Sequence, residues 1–182
     1  MTIQPGDNIL FMKVGTHATE DLSDIIERKR AEIEAEGMAF WGYGGGTCHP
    51  ATMVRPFAMG SAGRIVLAMH QMSSNHFADP VRAEEYSEDG IKWRPVPPGI
   101  NCVGSRYALL VDLLEEVDDS VDLARTRVAI GPSSGKVGAN YIRGRVDKAC
   151  LEVVDEPIGD PKLIKIGLRA SLIAPYAVFL RN

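Results

Sequence analysis

Three things are scarce in this sequence: cysteine, long apolar runs and an excess of basic residues. Its 182 residues include only three cysteines, Cys48, Cys102 and Cys150. This odd and widely spaced set differs from the even, dense set of a disulfide framework. We therefore expect a reducing compartment and a cytoplasmic location.

No apolar run reaches the roughly 20 residues that a helix needs to cross a bilayer. Residues 1–7 also lack the basic stretch and following apolar stretch of a secretory signal. The sequence predicts a chain that is neither secreted nor membrane-spanning, with no membrane partner.

The chain has 20 basic and 24 acidic side chains, a formal net charge of -4. Non-specific binding to nucleic acid needs a basic surface, so nucleic acid is not an expected partner except through a single modified base. The charge is nevertheless uneven. Asp112 to Asp122 holds six acids and no base, whereas Arg125 to Lys148 holds six bases and one acid, which is compatible with a local anion site.

Hydrophobic residues make up 45% of the chain and charged residues 24%, as in ordinary globular proteins. We interpret residues 1–182 as one ligand-binding domain, because no repeat or shift in composition divides them. About seven or eight short apolar runs have the length and composition of strands. The predicted fold class is α+β, with a β-rich, mixed and partly closed sheet and one long amphipathic helix packed on it.

The helix is predicted over about residues 19–36. Its apolar residues recur at helical spacing on one face, and they are Leu22, Ile25, Ile26 and Ile33. The charged residues at 27–30 are predicted to lie mostly on the opposite face. Thr19 or Ser23 is suited to cap the first turn, and Gly37 is suited to end the helix in the left-handed conformation.

Residues 41–50, here called the aromatic loop, join two aromatic residues to four glycines at the end of a predicted strand. Glycine lets a ligand approach main-chain amides closely, and the rings of Trp41 and Tyr43 are suited to stack on a planar group such as a nucleobase. The aromatic loop therefore predicts ligand contacts from Trp41, Tyr43, Gly44 and Gly45. The alternative is a glycine-rich turn whose aromatic rings fill the core.

Cys48 and His49 have the residue types of a nucleophile and its base. Adjacent residues are poorly placed for this, however, because an extended chain sends their side chains apart. His17 lies at the end of the first predicted strand, where loops commonly carry sites. We expect His17 and His49 to contact the ligand. No ligand spacing for a metal is present, so neither a metal nor a cofactor is predicted.

Residues 131–136, here called the second turn, place Gly131 and Gly135 only three residues apart, so the phosphate-loop pattern fails. The second turn still offers Lys136 to an anion, although the sequence favours a plain hairpin turn. Arg143 and Arg145 have the spacing that puts both side chains on one face of a strand, where they could share a phosphate. The alternative is an exposed face paired with the acidic segment.

These patterns favour a non-catalytic protein that senses or sequesters a small nucleotide-like anionic ligand or a modified base. Trp41 and Tyr43 would hold its planar part, and Lys136, Arg143 and Arg145 its anionic part. The alternative is an enzyme acting on a nucleotide or amide substrate through Cys48, or through His17 and His49 as acid and base. The sequence neither requires nor excludes a homo-oligomer.

Overall fold

Nine β-strands and three α-helices form the part of the chain that the structure, a computed structural model, describes. This part covers residues 3–17, 20–62, 64–76, 81–144 and 146–182, with only the main chain described at residues 16, 17 and 74–76. The strands are β1 (Asn8–His17), β2 (Ala39–Tyr43), β3 (Ile65–His76), β4 (Glu85–Ser87), β5 (Arg94–Pro95), β6 (Tyr107–Asp122), β7 (Thr126–Val128), β8 (Lys148–Val153) and β9 (Leu163–Arg181). The helices are α1 (Leu22–Glu36), α2 (Arg55–Met59) and α3 (Gly138–Tyr141).

The nine strands form a single sheet whose main path runs β2, β6, β9, β3, β1, β8, β7, with β4 paired to β9 and β5 to β4. Only β1 and β3 run parallel, and the other described pairs are antiparallel. The β-rich α+β class with a mixed sheet is thereby confirmed. The predicted partial closure is not observed, because the described end strands β2 and β7 do not pair with each other.

Both faces of the central strands are buried, which explains why their sequences are continuous apolar runs. In β1, Leu10, Met12 and Val14 point into the core that contains α1. Ile9 and Phe11 point into a second core on the opposite face. The strand therefore separates two apolar layers, and α1 covers only one of them.

The acidic segment from Asp112 to Asp122 is the second half of β6. Exposed and less exposed positions alternate along most of it, and some of its acids pair with bases on the neighbouring strand β9. Glu115 accepts a hydrogen bond from Arg169, and Asp118 pairs with Lys165. The segment continues the antiparallel pairing of β6 with β9.

Helix α1 is shorter and less amphipathic than predicted for residues 19–36. It spans 15 residues, and its inward face includes Lys29 and Glu32, each only 3% exposed. Asp21, rather than Ser23, is the N-cap residue, and Thr19 lies outside the described residues. Gly37 ends the helix as predicted, with a φ of 75° and its N–H bonded to the Ile33 carbonyl at 2.9 Å.

No helix in the described ranges is both long and apolar enough to cross a membrane.

Candidate functional site: a cavity between the helix and the sheet

A cavity of about 400 Å³ lies between α1 and the sheet. Its walls come mainly from the end of β1, from α1, from β2 with the two glycines after it, from residues 101–105 and from Asp147 and Lys148. Strands β1 and β2 stand four places apart in the sheet but share this cavity. The sheet must therefore curl around α1, although it stays open.

Four of the nine predicted ligand residues line the cavity: Trp41, Tyr43, Gly44 and Gly45. The two aromatic rings are also core residues, because Trp41 is 6% exposed and Tyr43 is 5% exposed. The Tyr43 hydroxyl donates to the Cys48 carbonyl at 2.6 Å, and burial raises the pKa of Tyr43. The same two rings thus fill the core, as the turn interpretation expects, and border the cavity, as the ligand interpretation expects.

The glycines of the aromatic loop fall into two groups with different roles. A Cβ atom on Gly44, Gly45 or Gly46 would meet no atom within 4 Å. Their N–H groups donate to no described residue. Gly45 also has a φ of 88°, and left-handed turns of this kind can form concave sites where successive amides bind an anion. Gly44 and Gly45 therefore line the cavity with amide donors that no described residue uses.

Gly42 has the opposite role, because it lets two segments of protein touch. A Cβ atom there would collide with Ser105 Oγ and would lie 2.7 Å from Cys102 Sγ. Residue 42 must be glycine for residues 101–105 to pack against β2. At Gly42, the close approach to the main chain that was predicted for a ligand is made instead by residues 101–105.

A buried ion pair on α1 holds the 101–105 wall in place. Lys29 donates to both carboxylate oxygens of Glu32, at 2.8 and 3.0 Å, and to the Asn101 carbonyl at 2.7 Å. Glu32 in turn accepts the Asn101 N–H at 3.0 Å. Burial lowers the pKa of Lys29, while Cys102 and Glu32 oppose that shift. All three ammonium donors are in use, so Lys29 has none left for a ligand.

Arg28 lies beside this pair and is also engaged. Its guanidinium binds both carboxylate oxygens of Glu20 and donates to the Asn101 carbonyl at 2.8 Å. The hydrogen bond with Glu20 is the main reason that the pKa of Arg28 is raised. Two cations on α1 therefore converge on the main chain of Asn101.

The side chain of Asn101 is not engaged in the same way. Its Oδ1 is buried and has no hydrogen-bond partner among the described residues, although Asn101 lines the cavity. Buried acceptors are nearly always paired, because an unmade hydrogen bond leaves the cost of removing the group from water. Because Oδ1 is itself buried, it is not exposed to the cavity that Asn101 lines.

Lys148 is the cation best placed to meet a ligand. It lies opposite Met12 in the β1–β8 ladder, on the same face of β8 as Cys150, which belongs to the core around α1. Lys148 is 6% exposed, and Asp147 Oδ1, at 2.8 Å, is its one partner among the described residues. An ammonium has three donors, so two N–H groups remain for the cavity.

Cys102 is the one cysteine that lines the cavity. Burial raises its pKa, and the nearby Lys29 opposes that shift. The thiolate is the nucleophilic form, so this environment makes Cys102 a poor nucleophile.

The second turn lies outside the cavity lining and satisfies its own amides. Ser134 donates to the Gly131 carbonyl, Gly135 to the Val128 carbonyl and Lys136 to the Ser133 carbonyl, all within 3.1 Å. The plain-turn interpretation of residues 131–136 agrees with this bonding. Lys136 is not brought to Trp41 and Tyr43.

Arg143 is also absent from the cavity lining, and it does not lie on a strand. It follows the short helix α3, and its guanidinium donates to Asn140 Oδ1 at 2.7 Å and to the Ala139 carbonyl. The strand spacing assumed for Arg143 and Arg145 therefore does not apply to Arg143, because this segment turns. Nor does Arg143 pair with the acidic segment. Arg145 lies outside the described residues.

Cys48 and His49 are separated from the cavity by their packing. Cys48 is 1% exposed, and its contact with Cys150 is the main reason, ahead of burial, that the pKa of Cys150 is raised well above its usual range. The His49 ring packs edge-on against Tyr107 and Phe179, with centroids 5.5 and 5.3 Å away, and no described residue bonds to its buried Nδ1. The side chain of His17 lies outside the described part.

Most of the residues that line the cavity were not predicted from the sequence, among them Asn101, Lys148 and Cys102. In the sequence Lys148 was counted only as one base of the segment from Arg125 to Lys148, whereas the structure places it at the start of β8, opposite Met12. Asn101 carries no sequence signal, since its importance comes from the bonds that α1 makes to its main chain.

The chain matches no family model, no curated protein and no solved structure. In the described part, no three His, Cys, Asp or Glu residues are grouped as a metal site would require.

Proposed function

We propose that this protein binds a small nucleotide-like anion in the cavity and releases it chemically unchanged. The buried ammonium of Lys148 is the main support for this function. A lysine so buried is uncommon unless paired, and Asp147, whose side chain is 44% exposed, uses one of its three donors. A ligand anion would take the remaining two.

The other walls suit the rest of such a ligand. Trp41 and Tyr43 supply an apolar, aromatic border for a planar base. The amides of Gly44 and Gly45 can add to Lys148 in binding phosphate oxygens. The volume falls within the roughly 300–1,000 Å³ of small-molecule sites, near the lower end, which favours one mononucleotide over a larger ligand.

A binding function fits the described chemistry better than catalysis does. Cys48 and His49 do not line the cavity, and Cys102, which does, has a pKa raised by burial. Sensing and sequestration share this requirement for a bound, unaltered ligand.

The first test is the mass of any ligand released by heat from the purified protein, followed by titration with the four natural nucleoside monophosphates. We expect at least one to bind, to raise the melting temperature by mass action and to be recovered unchanged. Recovery of an altered mass would favour the enzyme instead. Absence of any thermal shift with all four would contradict the proposed function.

Lys148→Gln should weaken binding of that nucleotide by about 10- to 150-fold, because a hydrogen bond to a charged group contributes roughly 1.5–3 kcal/mol. Lys136→Gln removes a lysine from the second turn and is the matched control, with no expected change in Kd. Isothermal titration of both variants measures the difference. Equal affinities would show that Lys148 is not the anion contact.

A further inference from the structure

Two of the three cysteines meet where the aromatic loop packs against β8. Cys48 lies in the loop and Cys150 in β8, and a hydrogen bond joins their thiol groups. Each residue is 1% exposed, and both belong to the core that contains α1. Beside them, the Thr47 hydroxyl donates to Asp147 Oδ1 at 3.4 Å, which holds the same two segments together at a second point. The packing of loop on strand therefore brings two free thiols into contact.

The main chain of Cys48 has an unusual conformation. Its φ is 59°, in the left-handed region that residues other than glycine seldom adopt. The Tyr43 hydroxyl donates to the Cys48 carbonyl and helps to hold this conformation. Glycine would adopt it without steric cost, in a segment that already has glycine at residues 44–46. A strained cysteine at this position indicates a use for its thiol, and the group that this thiol meets is Cys150.

Cys102 differs from this pair, because the groups beside it are not thiols. Its thiol is hydrogen-bonded to Ser105 and lies near Lys29. It is 3% exposed, so burial alone does not distinguish it from Cys48 and Cys150. Cys102 is therefore an internal reference, a buried free thiol whose neighbours are an ammonium and a hydroxyl.

We propose that Cys48 and Cys150 are a modification site, a redox-active pair that a peroxide oxidises to a disulfide within the native fold. Hydrogen peroxide first converts the Cys48 thiol to a sulfenic acid and releases one water. The Cys150 sulfur then attacks the Cys48 sulfur, and the sulfenic oxygen leaves as a second water with the Cys150 proton. Two thiols lose two electrons, and the O–O bond of one peroxide accepts them.

The surroundings of the pair set the order of these two steps. The hydrogen bond with Cys48 and burial raise the pKa of Cys150 well above its usual range, so Cys150 keeps its proton. The thiolate is the form that attacks a peroxide, so Cys48 reacts first. Cys48 also follows the exposed residues Gly45 and Gly46, where opening of the loop admits a peroxide, whereas β8 has a partner strand on each side. Contact with Cys150 then favours the second step over further oxidation.

The first test uses the folded full-length chain and hydrogen peroxide. After the remaining thiols are blocked in urea, trypsin places the three cysteines in separate peptides, residues 31–64, 93–106 and 149–162. We expect mass spectrometry without reduction to find peptide 31–64 joined to peptide 149–162, about 2 Da below the sum of their masses. Peptide 93–106 should carry a blocked thiol. Dithiothreitol should separate the joined peptides.

The melting temperature tests whether the bond fits the native fold. A link that closes the chain from residue 48 to residue 150 restricts the unfolded state, so the oxidised protein should melt about 5–10 °C above the reduced protein. Oxidation in urea is the control. There the thiols are no longer held in contact, and pairings that include Cys102 should also appear.

Variants assign the two roles. Cys102→Ser should form the same link as the parent. Cys150→Ala should form none, and its Cys48 sulfenic acid should be captured by dimedone. If Cys150→Ala does not fold, the peptide map of the parent chain still decides the pairing.

The inference does not depend on the proposed function, because neither Cys48 nor Cys150 lines the cavity. Failure of every nucleotide to bind would leave it standing. It would be overturned by a native disulfide that includes Cys102, by sulfinic acid at Cys48 without a link, by a link that forms only in urea, or by a melting temperature that oxidation leaves unchanged or lowers.

Discussion

The aromatic loop (residues 41–50) and the second turn (residues 131–136) are both rich in glycine, yet they use their amides in opposite ways. In the second turn, the N–H groups of residues 134–136 bond to carbonyls of the same segment or of Val128. In the aromatic loop, the N–H groups of residues 44–46 bond to no described residue. Glycine content alone therefore does not identify a ligand loop. Unused donors at the wall of a cavity are the better indication.

The largest expected effect comes from Trp41→Ala in the aromatic loop. The ring is 6% exposed and belongs to the main core, so its loss should lower the free energy of unfolding by about 3–5 kcal/mol. Urea denaturation measures this change. A loss below about 1 kcal/mol would mean that the ring is a ligand platform and not a core residue.

A smaller effect is expected from Gly42→Ala. Its Cβ would collide with Ser105 and Cys102. Overpacking of this kind typically lowers the free energy of unfolding by about 1–3 kcal/mol. It should also weaken nucleotide binding, because it displaces residues 101–105 at the cavity wall. Gly135→Ala in the second turn is the comparison. With a φ of 87° it should cost roughly 1–2 kcal/mol through the backbone alone. Its Kd should not change, and weaker binding by Gly135→Ala would remove the distinction between the two segments.

The smallest change in stability is expected for Gly44→Ala and Gly46→Ala, and this pair distinguishes most directly between a residue that lines the cavity and one that does not. Both positions lack a positive φ and have open space for a Cβ, but only Gly44 lines the cavity. Each variant should be within about 0.5 kcal/mol of the parent in stability. Only Gly44→Ala should weaken nucleotide binding, by several-fold in Kd, as measured by titration. The same Kd for both variants would indicate that the ligand does not approach the Gly44 amide.

The sequence predicted the parts of this fold that depend on local pattern. Continuous apolar runs located most of the strands, and Gly37 marked the end of α1, because these features depend on neighbouring residues only. The acidic half of β6 was not predicted as a strand, because a run of charged residues is typical of a surface segment. Its pairing with β9 depends on bases that lie far away in the sequence. Strand order and the curl that brings β1 and β2 to one cavity depend on pairing between distant segments.

The candidate site divides in the same way. The cavity-lining residues that were predicted, Trp41, Tyr43, Gly44 and Gly45, lie close together in a segment of unusual composition. Lys29 was assigned to the outer face of α1, as expected for a lysine, whereas the structure buries it against Glu32 and Asn101. A partner 72 residues away cannot be inferred from helical spacing.

Because all three cysteines are buried, the rates at which they react with a thiol reagent can measure local unfolding of this chain. Each is a free thiol no more than 3% exposed, so a thiol reagent can modify the folded protein only during excursions that uncover it. Labelling of Cys102 would measure opening of the cavity wall. Labelling of Cys48 and Cys150 would measure separation of the aromatic loop from β8. The ratio of the two labelling rates would then measure how far the wall moves independently of the core.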